Sequence, residues 1–375
     1  MLRTSKAALL LLVAMTPIAC VDDPDAPSRA TPKPPAPDVA RFVNPFIGTA
    51  NASSPNPVTN GKSGAVYPGA AAPFGMVQWS PDTPKAAPPG YAWEDDHIVG
   101  FSLTHLSGAG CAAERDFPFF ALVGAPDDLA SEGFAHDAER ASPGRYEVTL
   151  ASGVEVELAA TQRAGIARFT FPRSADAKVL LSGTDIAADS IFTTAFDAHF
   201  DPKSGLLTAS REAGFFCAAP STYRIHLAAR FDRAPSKVYA NGEEGLVESG
   251  TEVAGVHGSF AFGFDATENP VVRLRVGVSY VSVENAIANL DAEVPDFDFD
   301  GAAARTRAVW NDYLGRAIPE GGTDDQTTVF TTALYRAMLQ PAVASDVNGE
   351  HIGFDKQVHE AAGWVRYQNY SGWDI

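Results

Sequence analysis

Cysteine is scarce. Three occur in 375 residues, at positions 20, 111 and 217. Small exported domains that depend on disulfides carry many more, so the fold rests on an apolar core and not on a disulfide framework. Cys111 and Cys217 stand either as one disulfide or as two separate thiols. Positive charge is also in short supply: 28 Lys and Arg face 46 Asp and Glu, a formal net charge of −18. Such a surface repels phosphate backbones and excludes a nucleic-acid partner. No apolar run reaches the ~20 residues that a membrane-spanning helix needs. Common catalytic signatures are missing too: there is no His-Glu-x-x-His, no Gly-x-Ser-x-Gly, no phosphate loop and no dinucleotide fingerprint. The eight histidines are scattered without metal-ligand spacing. Asp346-Val-Asn-Gly349 contains part of a calcium loop, but it lacks the remaining ligands, and Asn-Gly is first of all a turn.

What is present begins with an export signal over residues 1–19. Arg3 and Lys6 give a positive start, and Ala7 to Met15 form a short apolar run. Pro17-Ile-Ala-Cys20 resembles a bacterial lipoprotein cleavage box, which would make Cys20 a lipidated first residue; an ordinary cleaved signal with an incidental Cys20 is the competing account. Residues 20–40 hold six prolines after the cysteine and read as an extended tether. On the lipoprotein reading, it holds a domain off a membrane.

Order begins near Arg41. Residues 41–125 are rich in Gly, Pro and aromatic residues and look like strands joined by long loops. From Arg145 alternation is plain, as in Tyr146-Glu-Val-Thr-Leu150 and Val154-Glu-Val-Glu-Leu158. Further strands are expected at 167–171, 178–181, 223–227, 259–264 and 271–281. Many short strands in succession indicate an antiparallel β-sandwich. Helices follow: a short one over 283–290, then 302–317, then one with Thr323 as N-cap that Pro341 limits. The expected organisation is a β-sandwich over 41–290, a helical linker over 291–322 and the start of a helical domain over 323–375. Phe330, Leu334 and Met338 on the last helix need partners beyond those present.

Three stretches combine glycine, aromatic and hydrogen-bonding residues in loops, where binding residues concentrate: Tyr67 to Thr83, Gly100 to Pro118, and Ser345 to Asp374. Tight turns and core plugs would account for the same composition. At these stretches the sequence resembles glycoside hydrolase family 92, the exo-acting α-mannosidases. The matching phrases are VNPFIGT at 43–49, YPGA…PFGMVQ.SPDT at 67–83, GFS.THLSG.GC…DFP at 100–118, VGVSYVS.ENA..NL at 276–290, ALY…SDVNG…GFD..VH from 333 onward, and Y.NYSGWDI at the end. They run in the family's order across residues 41–375. Glu114-Arg115 departs from the family's phrase, where smaller residues are expected.

The resemblance implies an N-terminal β-sandwich, a helical linker and an (α/α)6 catalytic barrel. It implies calcium-dependent, inverting hydrolysis of terminal α-mannosides of N-glycan type. Inversion uses two carboxyl groups about 6.5–9.5 Å apart. In the family these carboxylates and the calcium ligands lie in the barrel, so they are expected beyond Ile375, and the chain reads as the inactive N-terminal part of a longer enzyme. Within the chain, Asp374 matches a mannose-hydroxyl ligand, with helix capping as the alternative. Trp373 offers a face for a pyranose or packs in the core. The glycines around Cys111 permit close backbone approach or simply shape a loop. His105 could donate to a sugar hydroxyl or satisfy backbone groups, and Trp93 walls the pocket. The competing overall reading is a glycan-binding surface lipoprotein without catalysis.

Overall fold

Alternation along the chain becomes alternation of burial. In Arg145–Leu150, Tyr146, Val148 and Leu150 are buried while the residues between them face outward. The computed structural model describes residues 37–50, 64–84, 89–108, 114–125, 131–183, 193–216, 219–241, 246–248, 251–254 and 258–369. The leader and nearly all of the tether lie outside these residues, as do Cys111, Cys217 and positions 370–375. The described residues all fall within one unit, Ala36–Ile375.

The class is mainly β, as expected. Among the described residues two large antiparallel sheets face each other. The first has eight strands, in the order Ala70–Ala71, Gln78–Asp82, Gly100–Ser102, Phe119–Val123, Ala177–Ser182, Ser259–Phe264, Lys237–Asn241 and Val247–Glu248. The second has ten: Glu252–Ala254, Ala195–Asp201, Leu206–Gly214, Thr222–Phe231, Val271–Ser279, Ala164–Thr170, Glu155–Ala160, Arg145–Leu150, Glu132–Ser142 and His97–Ile98. Phe119, Phe260 and Phe262 from the first sheet share one core with Leu158, Phe169, Leu227 and Val276 from the second. Burying a side chain of this size contributes roughly 1.5–3 kcal/mol.

Helices cover the other face of the ten-stranded sheet. α1, Val283–Glu293, starts where Ser282 accepts the Asn285 amide at 3.1 Å. It lies hard against the strand Val271–Ser279. A Cβ on Gly277 would come within 2.7 Å of Leu290 Cβ, so only glycine permits this approach. α2, Phe299–Leu314, begins three residues before the sequence suggests. The acidic run at 295–300 reads as a break, yet Asp298 caps the helix by accepting the Gly301 amide at 3.0 Å. Phe299 is then buried with the Arg168 guanidinium 4.5 Å from its ring centre. α3, Asp324–Ala337, has the expected Thr323 cap, completed into a capping box by Gln326.

α2 and α3 form a second core with the 3-10 turn Val39–Phe42. Trp310, Tyr335, Leu314 and Leu339 bury against Tyr67, Ala71 and Tyr91, and Trp310 Nε1 donates to Ala71 O at 2.7 Å. Leu334 and Met338 pack against this core, whereas Phe330 remains 44% exposed. Among the described residues no helix is long and apolar enough to cross a membrane.

Candidate active site

The strand Gln78–Asp82 is the hub on which the glycine-rich loops converge. Gln78 Oε1 accepts the His105 amide at 3.1 Å, and its backbone carbonyl faces His105 Nδ1 at 2.8 Å. A carbonyl only accepts, so Nδ1 carries the hydrogen. Nε2 of the same ring lies 3.2 Å from Asp82 Oδ1, and both side chains are fully out of water. Asp82 Oδ2 accepts from the Ser102 amide and hydroxyl at 3.1 and 2.5 Å. His105 therefore sits under the loops with both ring nitrogens engaged inside the protein, its ring tilted against Tyr67 at 5.1 Å. Gly90 is pressed onto this pair with φ +88°. Any Cβ there would stand 2.6 Å from Asp82 Oδ1 and 2.7 Å from His105 Cδ2.

Gly90 leads into Tyr91-Ala-Trp93, which Thr83 holds through its hydroxyl to the Ala92 amide at 2.9 Å. Trp93 is half-buried. Its ring lies flat on His136, with centroids 3.8 Å apart and planes 9° apart, and Phe46 meets it edge-on at 5.5 Å. Thus the VNPFIGT phrase and Trp93, distant in sequence, touch. His136 Nε2 donates to the Trp93 carbonyl at 2.6 Å, and Nδ1 lies 2.6 Å from Glu139 Oε1. The buried Glu139 also accepts Tyr91 Oη at 2.6 Å and Tyr146 Oη at 2.7 Å. Burial, reinforced by that carboxylate, pushes both tyrosine hydroxyls well above their ordinary range.

Glu114-Arg115, the departure from the family phrase, forms a bend in the left-handed region. Glu114, Arg115 and Phe117 have φ of 64°, 57° and 53°. Each such residue costs roughly 1–3 kcal/mol, which the surroundings must offset. Asp116, between them, is the anchor. It takes Thr104 Oγ1 at 2.6 Å, Tyr223 Oη at 3.0 Å and Arg211 Nη1 at 2.7 Å. Glu114 is buried beside it with Oε2 unpaired. Burial first, and the Asp116 charge second, push its carboxyl up to about 8.

From the helical side, Arg336 of α3 reaches back to the loops. It donates to Tyr67 O at 2.8 Å, to Ile47 O at 3.4 Å and to Pro45 O. Asp346, in the third stretch, is fastened to α1. Its Oδ1 accepts Asn289 Nδ2 at 2.6 Å, and Oδ2 accepts Asn285 Nδ2 at 2.8 Å and Ser279 Oγ at 2.7 Å. Both oxygens thus face N–H and O–H donors, an environment unlike a cation cage. Among the described residues no group of three or more His, Cys, Asp and Glu side chains could hold a metal ion.

Of the residues singled out in the sequence, His105 and Trp93 fall in one connected region, joined through Asp82, Gly90 and Thr83. Cys20, Cys111, Trp373 and Asp374 lie outside the described residues. Sequence reasoning missed His136, Glu139 and Arg336. His136 and Glu139 lie in the strand Glu132–Ser142, whose register against its partner shifts between Phe134 and Glu139. In a regular strand, residues three apart point to opposite faces; the irregularity brings these two together. A charged residue and a histidine inside a strand that ends in a tight turn were the available signal.

The glycosyl hydrolase family 92 N-terminal domain matches residues 42–279, and the family 92 catalytic domain matches 285–375. An uncharacterized secreted glycosidase of Arthroderma benhamiae is 27% identical over 351 residues, covering 84% of this chain and 43% of the relative. A family GH92 α-mannosidase of Bacteroides thetaiotaomicron superposes with a TM-score of 0.78 at 27% identity, covering 88% of this chain and 45% of that one. A family GH92 inverting mannosidase of the same organism gives 0.74 at 25% identity, with coverages of 90% and 44%. The chain thus spans less than half the length of these relatives. With both domain descriptions matched in order and the fold shared, the chain belongs to glycosyl hydrolase family 92.

Proposed function

We propose that these residues form the N-terminal part of an exported exo-α-mannosidase that removes terminal mannose from N-glycan-type glycans with inversion. The observation that carries this reading is the likeness to α-mannosidases of the family over 88% of the chain. One of those neighbours was solved with mannoimidazole bound, and another is described as inverting. Residues 41–290 are the sandwich, 291–322 the linker and 323–375 the start of the catalytic barrel. Inversion needs a general acid and a general base spaced for a water between them. We place both outside this chain, together with the ligands of the calcium ion that the family uses.

The chain's own part is to bind and orient. Trp93 gives the half-exposed aromatic wall, and Trp373 and Asp374 a stacking face and a hydroxyl acceptor. A carboxylate accepting two sugar hydroxyls makes strong charge-assisted bonds. The buried ring of His105 holds the loops that present these groups, and the glycines around Cys111 let the backbone close on the sugar. Export through the leader, with a lipid on Cys20, would place the enzyme at a membrane surface facing its glycans.

Full-length protein assayed with an aryl α-mannoside and calcium should release mannose in a chelator-sensitive way, with β-mannose as the first product by NMR. Residues 1–375 alone should show no turnover. Turnover by the short chain would overturn the placement of the carboxylates. Mannose binding without turnover by the full-length protein would favour a glycan-binding lipoprotein instead.

A further inference from the structure

Trp93 lies in a loop, between the tight approach at Gly90 and the short strand His97–Ile98. An indole on a loop has freedom to turn about both of its side-chain torsions. A sugar-stacking wall needs the opposite, since an aromatic face engages a pyranose only when its plane is fixed. His136 supplies what the loop lacks. Its imidazole covers one face of the indole at 3.8 Å and 9°, and its Nε2 hydrogen binds the carbonyl of the same tryptophan at 2.6 Å. One side chain thus holds both the ring and the backbone of Trp93.

His136 is itself held. Nδ1 is 2.6 Å from Glu139 Oε1, and Phe134 meets the imidazole edge-on at 5.1 Å. Glu139 is fully buried and tied to the sheet by Tyr146, whose side chain belongs to the main core, and by Tyr91. Both tyrosine hydroxyls donate to the carboxylate, and His136 closes on it from a third side. The two ring nitrogens thus link Glu139 to the Trp93 carbonyl. The path runs from the rigid sheet through Glu139 and His136 to a loop side chain that faces partly outward.

We propose that His136, backed by Glu139, is the positioning residue that fixes the plane of Trp93 as the sugar-facing wall of the site. This rests on the mannosidase reading of Trp93. Aromatic stacking energies correspond to about 3- to 10-fold in affinity. His136→Ala in the full-length protein should therefore raise KM for an aryl α-mannoside by about that factor, with kcat changed less than about 2-fold, the pattern of lost uniform binding. His136→Gln, which keeps a planar donor, should restore part of the loss. In a Trp93→Ala background, adding His136→Ala should cost nothing further, because the two act through one another.

A second measurement is independent of the substrate. In protein labelled with 5-fluorotryptophan, the Trp93 signal, assigned by Trp93→Phe, should shift or broaden in His136→Ala while those of the buried Trp79 and Trp310 stay in place. A Trp93 signal that does not move, or a His136→Ala penalty undiminished by Trp93→Ala, would overturn the proposal. A moved signal with unchanged kinetics in Trp93→Ala would uphold the positioning and overturn the sugar-wall reading of Trp93.

Discussion

The carboxylate of Asp116 and the guanidinium of Arg211 meet at 2.7 Å with both side chains withdrawn from water. Arg211 also donates to the carbonyls of Glu114 and Arg115, at 3.4 and 3.0 Å, so one side chain neutralises the anchor and caps the strained bend. Removing one partner of a buried pair leaves the other charge uncompensated, at about 3–5 kcal/mol. We expect Arg211→Met to lose stability of that order in urea denaturation. Arg211→Lys should recover only part, because a lysine has no second nitrogen to keep the bond that Arg211 Nε makes to Thr193 Oγ1 at 2.8 Å. A loss below about 1 kcal/mol in Arg211→Met would refute the anchoring role.

Glu114 makes a pH prediction. Its native carboxyl keeps a proton up to about 8, against an ordinary value of 4.5 in the unfolded chain. Between those values the native state holds the extra proton, so stability falls as pH rises, by up to about 1.4 kcal/mol per unit. Above about pH 8 that contribution is gone. Glu114→Gln removes the titrating group and should flatten the decline between pH 5 and 8, leaving the variant more stable than the parent at the alkaline end. Melting curves at several pH values check this; parallel curves for parent and variant would count against it.

Gly277 tests how closely α1 is seated. A methyl group there meets Ala286 O at 2.5 Å, Leu290 Cβ at 2.7 Å and Leu290 N at 2.8 Å, and two of these are α1 backbone that cannot turn aside. Gly277→Ala should cost about 1–3 kcal/mol, the usual range for an overpacked core. Circular dichroism during thermal unfolding would report it as a lowered midpoint.

Thr323 tests the capping box. Its hydroxyl accepts the Gln326 amide, and Gln326 Oε1 accepts the Thr323 amide at 3.0 Å. Thr323→Ala removes the first of these and should cost about 1 kcal/mol, while Thr323→Ser should cost close to nothing.

The strands that alternate were legible because period-two burial leaves its mark on residues such as Tyr146, Val148 and Leu150. Strands of the eight-stranded sheet were harder. Phe119–Val123 is buried on nearly all sides and Gln78–Asp82 wholly so, and uniform burial erases alternation. Helix starts depended on caps. Thr323 was readable, while Asp298 was hidden among other acidic residues. Trp93 and His105 stood out in the sequence because glycine and aromatic residues cluster around them, His105 in the 100–118 stretch and Trp93 separately at 90–96. His136 and Glu139 were invisible to periodicity because their meeting depends on a register shift. Arg336 was invisible because its acceptors are backbone carbonyls about 270 to 290 positions away.

That last contact bears on how freely the two halves could be exchanged. The two family domains meet between residues 279 and 285, a seam at which recombination could exchange one half for another. Yet Arg336, on the catalytic side, supplies the hydrogens that hold Tyr67 and the 45–47 turn on the other. A foreign partner lacking that arginine would leave those carbonyls without their donor and the loops without their tie. A chimera joined at the seam should therefore need Arg336 transplanted with its sandwich.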